Sequence, residues 1–387
     1  MTMRRMILVW VMILCIVLIC STALAVDWEQ YAVPSDLDVS LLLLENGNEV
    51  SWWREDKSLR WFRDGEEVAR LTENDCPLNG SLTTRVALRS DGNLALLLKR
   101  APHGPYYKGV IDPVFASYGI WTPDGFTMVQ QWTADGEAYS VMDDHGFLLA
   151  EASGQTWLYD FDCQQIWSGI LGTGTLSRPY SLHITSQDDW TVAVTDWNRG
   201  GSFACCRYLN GQMAWSRETM RYPRFLPLDS GWTVIAEHRA DGKNGRTYLS
   251  LIDPEGNLTV SRYMSGDRLS VTCTSPMKAE NGTIVIYGHA TGNRRGVYQC
   301  WKACFDEQLN LLALDVRNCH YHNDYSASIW VNRSGSAQIR LEDRDRDSDK
   351  ASAVFVPFEA FPVVTDHSLQ YGWGRPENDD SNGWEEK

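Results

Sequence analysis

The fold class this sequence predicts is all-β, a seven-bladed β-propeller of four-stranded antiparallel blades. A turn carrying Gly or Asp, followed by a short apolar run that ends in a polar residue, occurs at Gly47, Gly92, Gly146, Asp189, Gly231, Gly282 and Gly335. These turns recur every 42–54 residues, and self-similarity at roughly 40–50 residues is the period of a four-stranded blade. A second turn series lies further along six of the repeats, at Asp64-Gly65, Pro123-Asp124-Gly125, Asp162-Cys163, Asn210-Gly211, Pro254-Glu255-Gly256 and Asp306-Glu307. Two hairpin turns per repeat make four strands, and Asn-Gly and Asp-Gly supply the positive φ that two-residue hairpins need. No window of helical length holds an apolar stripe free of turn residues.

Along the chain, residues 1–25 predict a signal peptide. Arg4 and Arg5 form the basic end, Met6 to Cys20 an apolar stretch, and Ala23-Leu24-Ala25 the small-residue cleavage site. Retention of this segment as an N-terminal anchor is the alternative, although its apolar stretch is short against the roughly 20 residues of a spanning helix. The propeller is expected over 26–370. Its blades fall at about 38–71, 84–132, 137–170, 180–217, 224–262, 269–315 and 325–364. From Tyr371 the chain is polar, acidic and rich in Gly and Pro, which predicts a disordered tail over 371–387.

Without the signal segment the chain carries 33 basic and 50 acidic residues, a net charge near −17. A polyanion would be repelled, so nucleic acid is excluded as a partner. Eight cysteines remain outside the signal segment. Export permits disulfides, yet the spacing shows no stapled framework. Cys300 and Cys304 lie on one face of a strand roughly 13 Å apart, beyond disulfide reach. The neighbours Cys205 and Cys206 point to opposite faces of theirs.

The passages TWLYDFDCQQIWSG, RYLNGQMAWSR and SLIDPEGNLTVSR resemble the third-strand, turn, fourth-strand passage of quinoprotein-like and WD40-like propellers. Trp167 and Trp215 stand where quinoprotein repeats place a tryptophan that docks between blades. The resemblance implies the fold and leaves the activity open, because propellers host many unrelated functions.

The sequence places a candidate site on one face. The hairpin turns share one face of a propeller, and the connections between second and third strands and between successive blades share the other. Seven residues after each first-series turn the second strand reaches that other face, at Arg54, Lys99, Ser153, Asp196, His238, His289 and Glu342. Its loops are the richest in the chain. Tyr106, Tyr107, Trp197, Tyr222 and Tyr321 offer flat apolar faces, and Arg199, Arg294 and Arg295 offer forked donors. The ligand-binding candidates are therefore Tyr106, Tyr107, Asp196, Trp197, Arg199, Tyr222, His238, His289, Arg294, Arg295, Tyr321 and Glu342. Cys319-His320-Tyr321-His322 and the alternating aspartates of 343–349 suggest metal ligands, but neither completes a ligand set. No metal and no cofactor are expected.

The expected function is an exported, non-catalytic binding module for a protein segment or glycan, secreted or at the cell envelope, with no membrane span after cleavage. One alternative is a glycoside hydrolase or lyase with axial carboxylates or histidines, which requires carboxyl groups some 5–9 Å apart. The other is a structural propeller in a larger envelope assembly. No GxSxG, HExxH or phosphate loop occurs. Catalysis therefore has no motif to support it.

Overall fold

The computed structural model describes residues 37–373 except 45, 54–55, 57, 73–74, 76–81, 101–113, 134–137, 152–153, 172–176, 197–201, 221, 240–244, 293–297, 320–324, 332–336 and 344–351. The expected signal peptide lies outside the described residues. Within them the chain is all-β, and each early repeat folds into its own antiparallel sheet in chain order.

The first sheet is β1 (Leu37–Leu43), β2 (Asn48–Trp53), β3 (Ser58–Arg63) and β4 (Glu66–Thr72). The second is β5 (Leu82–Leu88), β6 (Leu94–Arg100), β7 (Val114–Thr122) and β8 (Gly125–Thr133). The third is β9 (Ala138–Met142), β10 (Gly146–Glu151), β11 (Gln155–Asp160) and β12 (Gln165–Ile170). The fourth is β13 (Ser177–Ser186), β14 (Asp189–Asp196), β15 (Ser202–Leu209) and β16 (Gln212–Thr219). The fifth repeat gives β17 (Arg224–Pro227), β18 (Thr233–Arg239), β19 (Arg246–Ile252) and β20 (Leu258–Gly266). The sixth gives β21 (Leu269–Cys273), β22 (Met277–Lys278), β23 (Ile284–Gly292), β24 (Tyr298–Phe305) and β25 (Leu311–Asn318). These last two repeats touch edge to edge through the single pair Gly266 and Leu269.

The turn chemistry explains the hairpins. Asp64-Gly65 and Asn210-Gly211 both take two consecutive positive φ angles, 53° with 84° and 51° with 74°, the pair a right-twisted two-residue hairpin demands. Three other turns share another device. Asp160, Asp253 and Asp306 each accept backbone N–H bonds from the residues two and four places on. The left-handed position then falls on Cys163, Gly256 and Leu309.

The apolar runs are continuous because the sheets of the second to sixth repeats are each covered on both faces. Leu94, Leu96 and Leu98 of β6 pack with Val50 and Trp61 of the first sheet. The intervening Ala95 and Leu97 pack with Phe147 and Leu149 of the third. Cys206 likewise joins Trp190 and Leu158 in the core between the third and fourth sheets, while Cys205 joins Trp215, Phe225 and Ile235 in the next. The expected split of this pair between opposite faces is what the structure has. Period-two alternation here sorts residues between two cores, not between core and water.

Two expectations need correction. The seventh repeat has three strands among the described residues, β26 (Tyr325–Val331), β27 (Ala337–Asp343) and β28 (Ser352–Pro357). No second-series turn follows β28. The chain passes instead through a single 3₁₀ turn at Phe358–Ala360, where Phe358 and Phe361 bury against Tyr287 and Ile339. The second correction concerns the tail. Residues 371–373 belong to β29 (Leu369–Trp373), which pairs with the outer edge of β20. Tyr371 packs on Phe305 and donates its hydroxyl to the Leu309 carbonyl, and the Arg262 guanidinium lies over the Trp373 ring. Aromatic anchors and an open strand edge outweigh the polar composition there. Among the described residues no helix is long and apolar enough to cross a membrane.

Candidate binding face

The two ends of the sheets are built differently. At the hairpin-turn end, side chains from one sheet reach the turns of the next. Arg63 donates to the Gly92 carbonyl at 3.2 Å, and Arg89 to the Phe161 carbonyl at 2.8 Å. Trp167 donates to the Gly211 carbonyl at 2.9 Å. Arg207, only 4% exposed, binds both Asp189 oxygens at 2.9 and 2.7 Å and the Gly231 carbonyl. Lys278 reaches Asp229 at 2.7 Å. This end is a belt of latches between consecutive sheets, and its polar groups have internal work.

The opposite end carries the candidate site. Tyr222 lies in the connection from β16 to β17. It is 63% exposed and holds a φ of 53°, a conformation uncommon for a bulky residue. Its ring centroid sits 5.0 Å from Phe203 and 6.1 Å from Tyr180, and those two rings meet edge to face at 5.8 Å. Two further bonds hold the connection in place. Met220 donates its N–H to Glu237 Oε1 at 2.8 Å, and the Tyr180 hydroxyl donates to the Pro223 carbonyl at 3.4 Å.

Glu237 is 6% exposed. Burial pushes its carboxyl up to about 7, against the opposing pull of the Met220 N–H and the Arg217 charge. It lies among Cys205, Cys273 and Tyr180, whose own pKa values burial raises. The carboxyl is a neutral or half-ionised brace near neutral pH, holding the start of the connection that carries Tyr222.

His238 and His289 reach the same end by register, on β18 and β23. His238 Nδ1 lies 2.9 Å from the Val271 carbonyl, and His289 lies 3.0 Å from Thr272 Oγ1. Burial lowers the pKa of both. For His289, burial and the neighbouring His238 bring it down to about 4. Both rings are neutral near pH 7 and engaged by β21. They brace the junction between the fifth and sixth sheets and do not present a charged donor.

Of the remaining candidates, Asp196 is the last residue of β14 and Glu342 the penultimate residue of β27. Tyr106, Tyr107, Trp197, Arg199, Arg294, Arg295 and Tyr321 lie outside the described residues. Among the described residues no three His, Cys, Asp or Glu side chains gather as a metal site. Sequence reading passed over Tyr180 and Phe203 as parts of this site, and the strand register of Glu237 counted against it. A carboxylate within the apolar run TVIAEH was the available signal, since such a residue needs an internal partner.

No protein-family profile matches the chain, and no curated protein does. Solved structures similar to it are β-propellers. The Cps50 (Swd1) β-propeller domain from Myceliophteria thermophila has a TM-score of 0.48 and 11% identity, covering 84% of this chain and 97% of that one. BamB from Moraxella catarrhalis has a TM-score of 0.39 and 10% identity, covering 84% and 98%. BBS1N, solved in complex with ARL6DN, has a TM-score of 0.44 and 12% identity, covering 83% and 91%.

Proposed function

We propose that this chain is an exported seven-bladed β-propeller that binds a segment of another protein, without catalysis, at the end bearing Tyr222. The basic and apolar N-terminal segment before Ala25 supports export. Closure of the ring is supported by the approach of β1 to β26, which brings the first sheet beside the last.

The observation that carries the binding reading is Tyr222 itself. A large aromatic side chain is held in solvent, in a left-handed backbone conformation, against two other rings and in a connection that a buried carboxyl braces at Met220. Strain of this kind costs about 1–3 kcal/mol and persists where the surroundings impose it, often at ligand contacts. An exposed tyrosine on a rigid aromatic floor is the usual form of an interface anchor. Among the described residues, His238 and His289 are bonded to β21 and do not offer their rings to sugar hydroxyl groups, which favours a peptide.

The test is site-specific photo-crosslinking. A benzophenone amino acid at position 222 captures the partner, and the captured protein is then titrated against the unmodified chain. Tyr222→Ala weakens that binding on the order of 30-fold, the weight of a hot-spot aromatic of about 2 kcal/mol, while the melting temperature stays within about a degree. Unchanged affinity for the captured protein overturns the reading. Binding of a glycan in place of any protein also overturns it.

A further inference from the structure

The geometry points to a disulfide between Cys300 and Cys319, clipping the sixth sheet to the start of the connection into the seventh. In the β24–β25 ladder Gln299 faces Asn318 and Cys300 faces Arg317. Alternation then puts Cys300 and Cys319 on the same face. Both are wholly buried, in one core with Tyr287, Ala337, Ile339 and Val356. Both are free thiols in this structure, and the neighbouring Cys319 thiol adds to burial in raising the Cys300 pKa.

Diagonal neighbours in a regular ladder keep their Cβ atoms several ångströms further apart than a disulfide allows. Cys319 lies one residue past the last laddered residue of β25, so the diagonal spacing does not bind it. Its neighbourhood is pinned from the other side, since Asn318 donates to the Pro362 carbonyl at 2.9 Å and Arg317 bridges Val363. Cys304 shares the core face but sits roughly 13 Å from Cys300 along an extended strand, beyond disulfide reach. Cys205 and Cys206 are divided between two other cores.

Burial raises the Cys300 pKa well above that of a free thiol, so the folded protein exchanges thiols slowly and the bond forms during folding. The two thiols lose two protons and two electrons and gain one S–S bond. The electrons pass to a disulfide-class oxidant, glutathione disulfide or a dithiol oxidase, which is reduced to its thiols.

The clip needs an oxidising compartment and so rests on the export reading, and the experiment separates the two. Residues 26–387 are refolded in a glutathione redox buffer, and peptides are mapped without reduction. A cross-linked pair containing Cys300 and Cys319, 2 mass units below its reduced sum as the loss of two hydrogens requires, is the expected product. Reduction then lowers the melting temperature of the refolded protein, and the Cys300→Ala/Cys319→Ala double variant no longer responds to reductant at that step. Two free thiols at these positions after refolding, or either cysteine linked elsewhere, overturn the proposal. Protein taken from cells with both thiols reduced, beside a linked refolded sample, overturns export and leaves the clip standing.

Discussion

Trp167 of the third sheet donates its indole N–H to the carbonyl of Gly211, at the hairpin tip of the fourth, across 2.9 Å. Its ring meanwhile lies 5.1 Å from Trp190 and 5.3 Å from Tyr208, which stack on each other at 4.0 Å. One residue therefore closes both the polar and the apolar halves of a junction between sheets. Trp167→Phe keeps most of the apolar half and loses the bond. Urea unfolding is expected to show a loss of about 1 kcal/mol, and Trp167→Ala a loss two to three times larger. Equal losses for the two variants would show that the bond has no weight.

Gly256 and Gly211 occupy left-handed positions in corresponding turns, with φ of 90° and 74°. They differ in what stands in front of them. A Cβ at Gly256 meets the Trp215 Cβ at 2.6 Å, and one at Gly211 meets Trp167 at an ordinary 3.5 Å. Gly211→Ala is expected to cost about 1 kcal/mol from backbone strain alone. Gly256→Ala adds the clash and costs about 2–4 kcal/mol. Thermal or chemical denaturation of the two variants side by side checks the order.

Arg207 is nearly enclosed and pairs with both oxygens of Asp189 while holding the Gly231 carbonyl of the next sheet. Arg207→Ala leaves a carboxylate and a carbonyl without a partner and is expected to cost about 3 kcal/mol. Restoring a charge with Arg207→Lys recovers only part, because a point charge cannot make the fork. Full recovery by lysine would show that the charge alone matters.

Glu237 and His289 give opposite pH dependences. The Glu237 carboxyl binds its proton more tightly in the folded chain, at about 7 against a usual 4.5. Its contribution is full below pH 4.5 and is lost as pH rises through 7. His289 binds its proton less tightly, at about 4 against 6.5. Its contribution is full above pH 6.5 and is lost as pH falls through 4. Each is worth on the order of 3 kcal/mol, and between pH 4.5 and 6.5 they offset one another. Glu237→Gln is therefore expected to unmask a stability that climbs with pH across that window. His289→Asn unmasks one that falls. Unfolding free energies at pH 4.5, 5.5, 6.5 and 7.5 decide the matter, and two variants with parallel profiles would refute it.

Repeat length and, in the first six repeats, strand positions and hairpin turns were legible in the sequence, because each follows from local chemistry. Asn210-Gly211 favours a left-handed turn and takes one, and LALLL is too apolar to leave either face in water. The inward register of Cys205 and Cys206 on opposite faces needed nothing beyond alternation. What escaped reading depends on partners distant in the chain. Tyr371 and Trp373 look like tail residues until β20, Phe305 and Arg262 are beside them. Glu237 is an unremarkable carboxylate until burial and the Met220 N–H make it a brace for the connection that carries Tyr222. His238 and His289 end apolar strands as expected, yet β21 claims them. Local composition determined which segments become strands and where they reverse. Only the tertiary structure decided which polar groups are spent on holding sheets together and which face outward, since that division is set by contacts between residues that no short window of sequence contains.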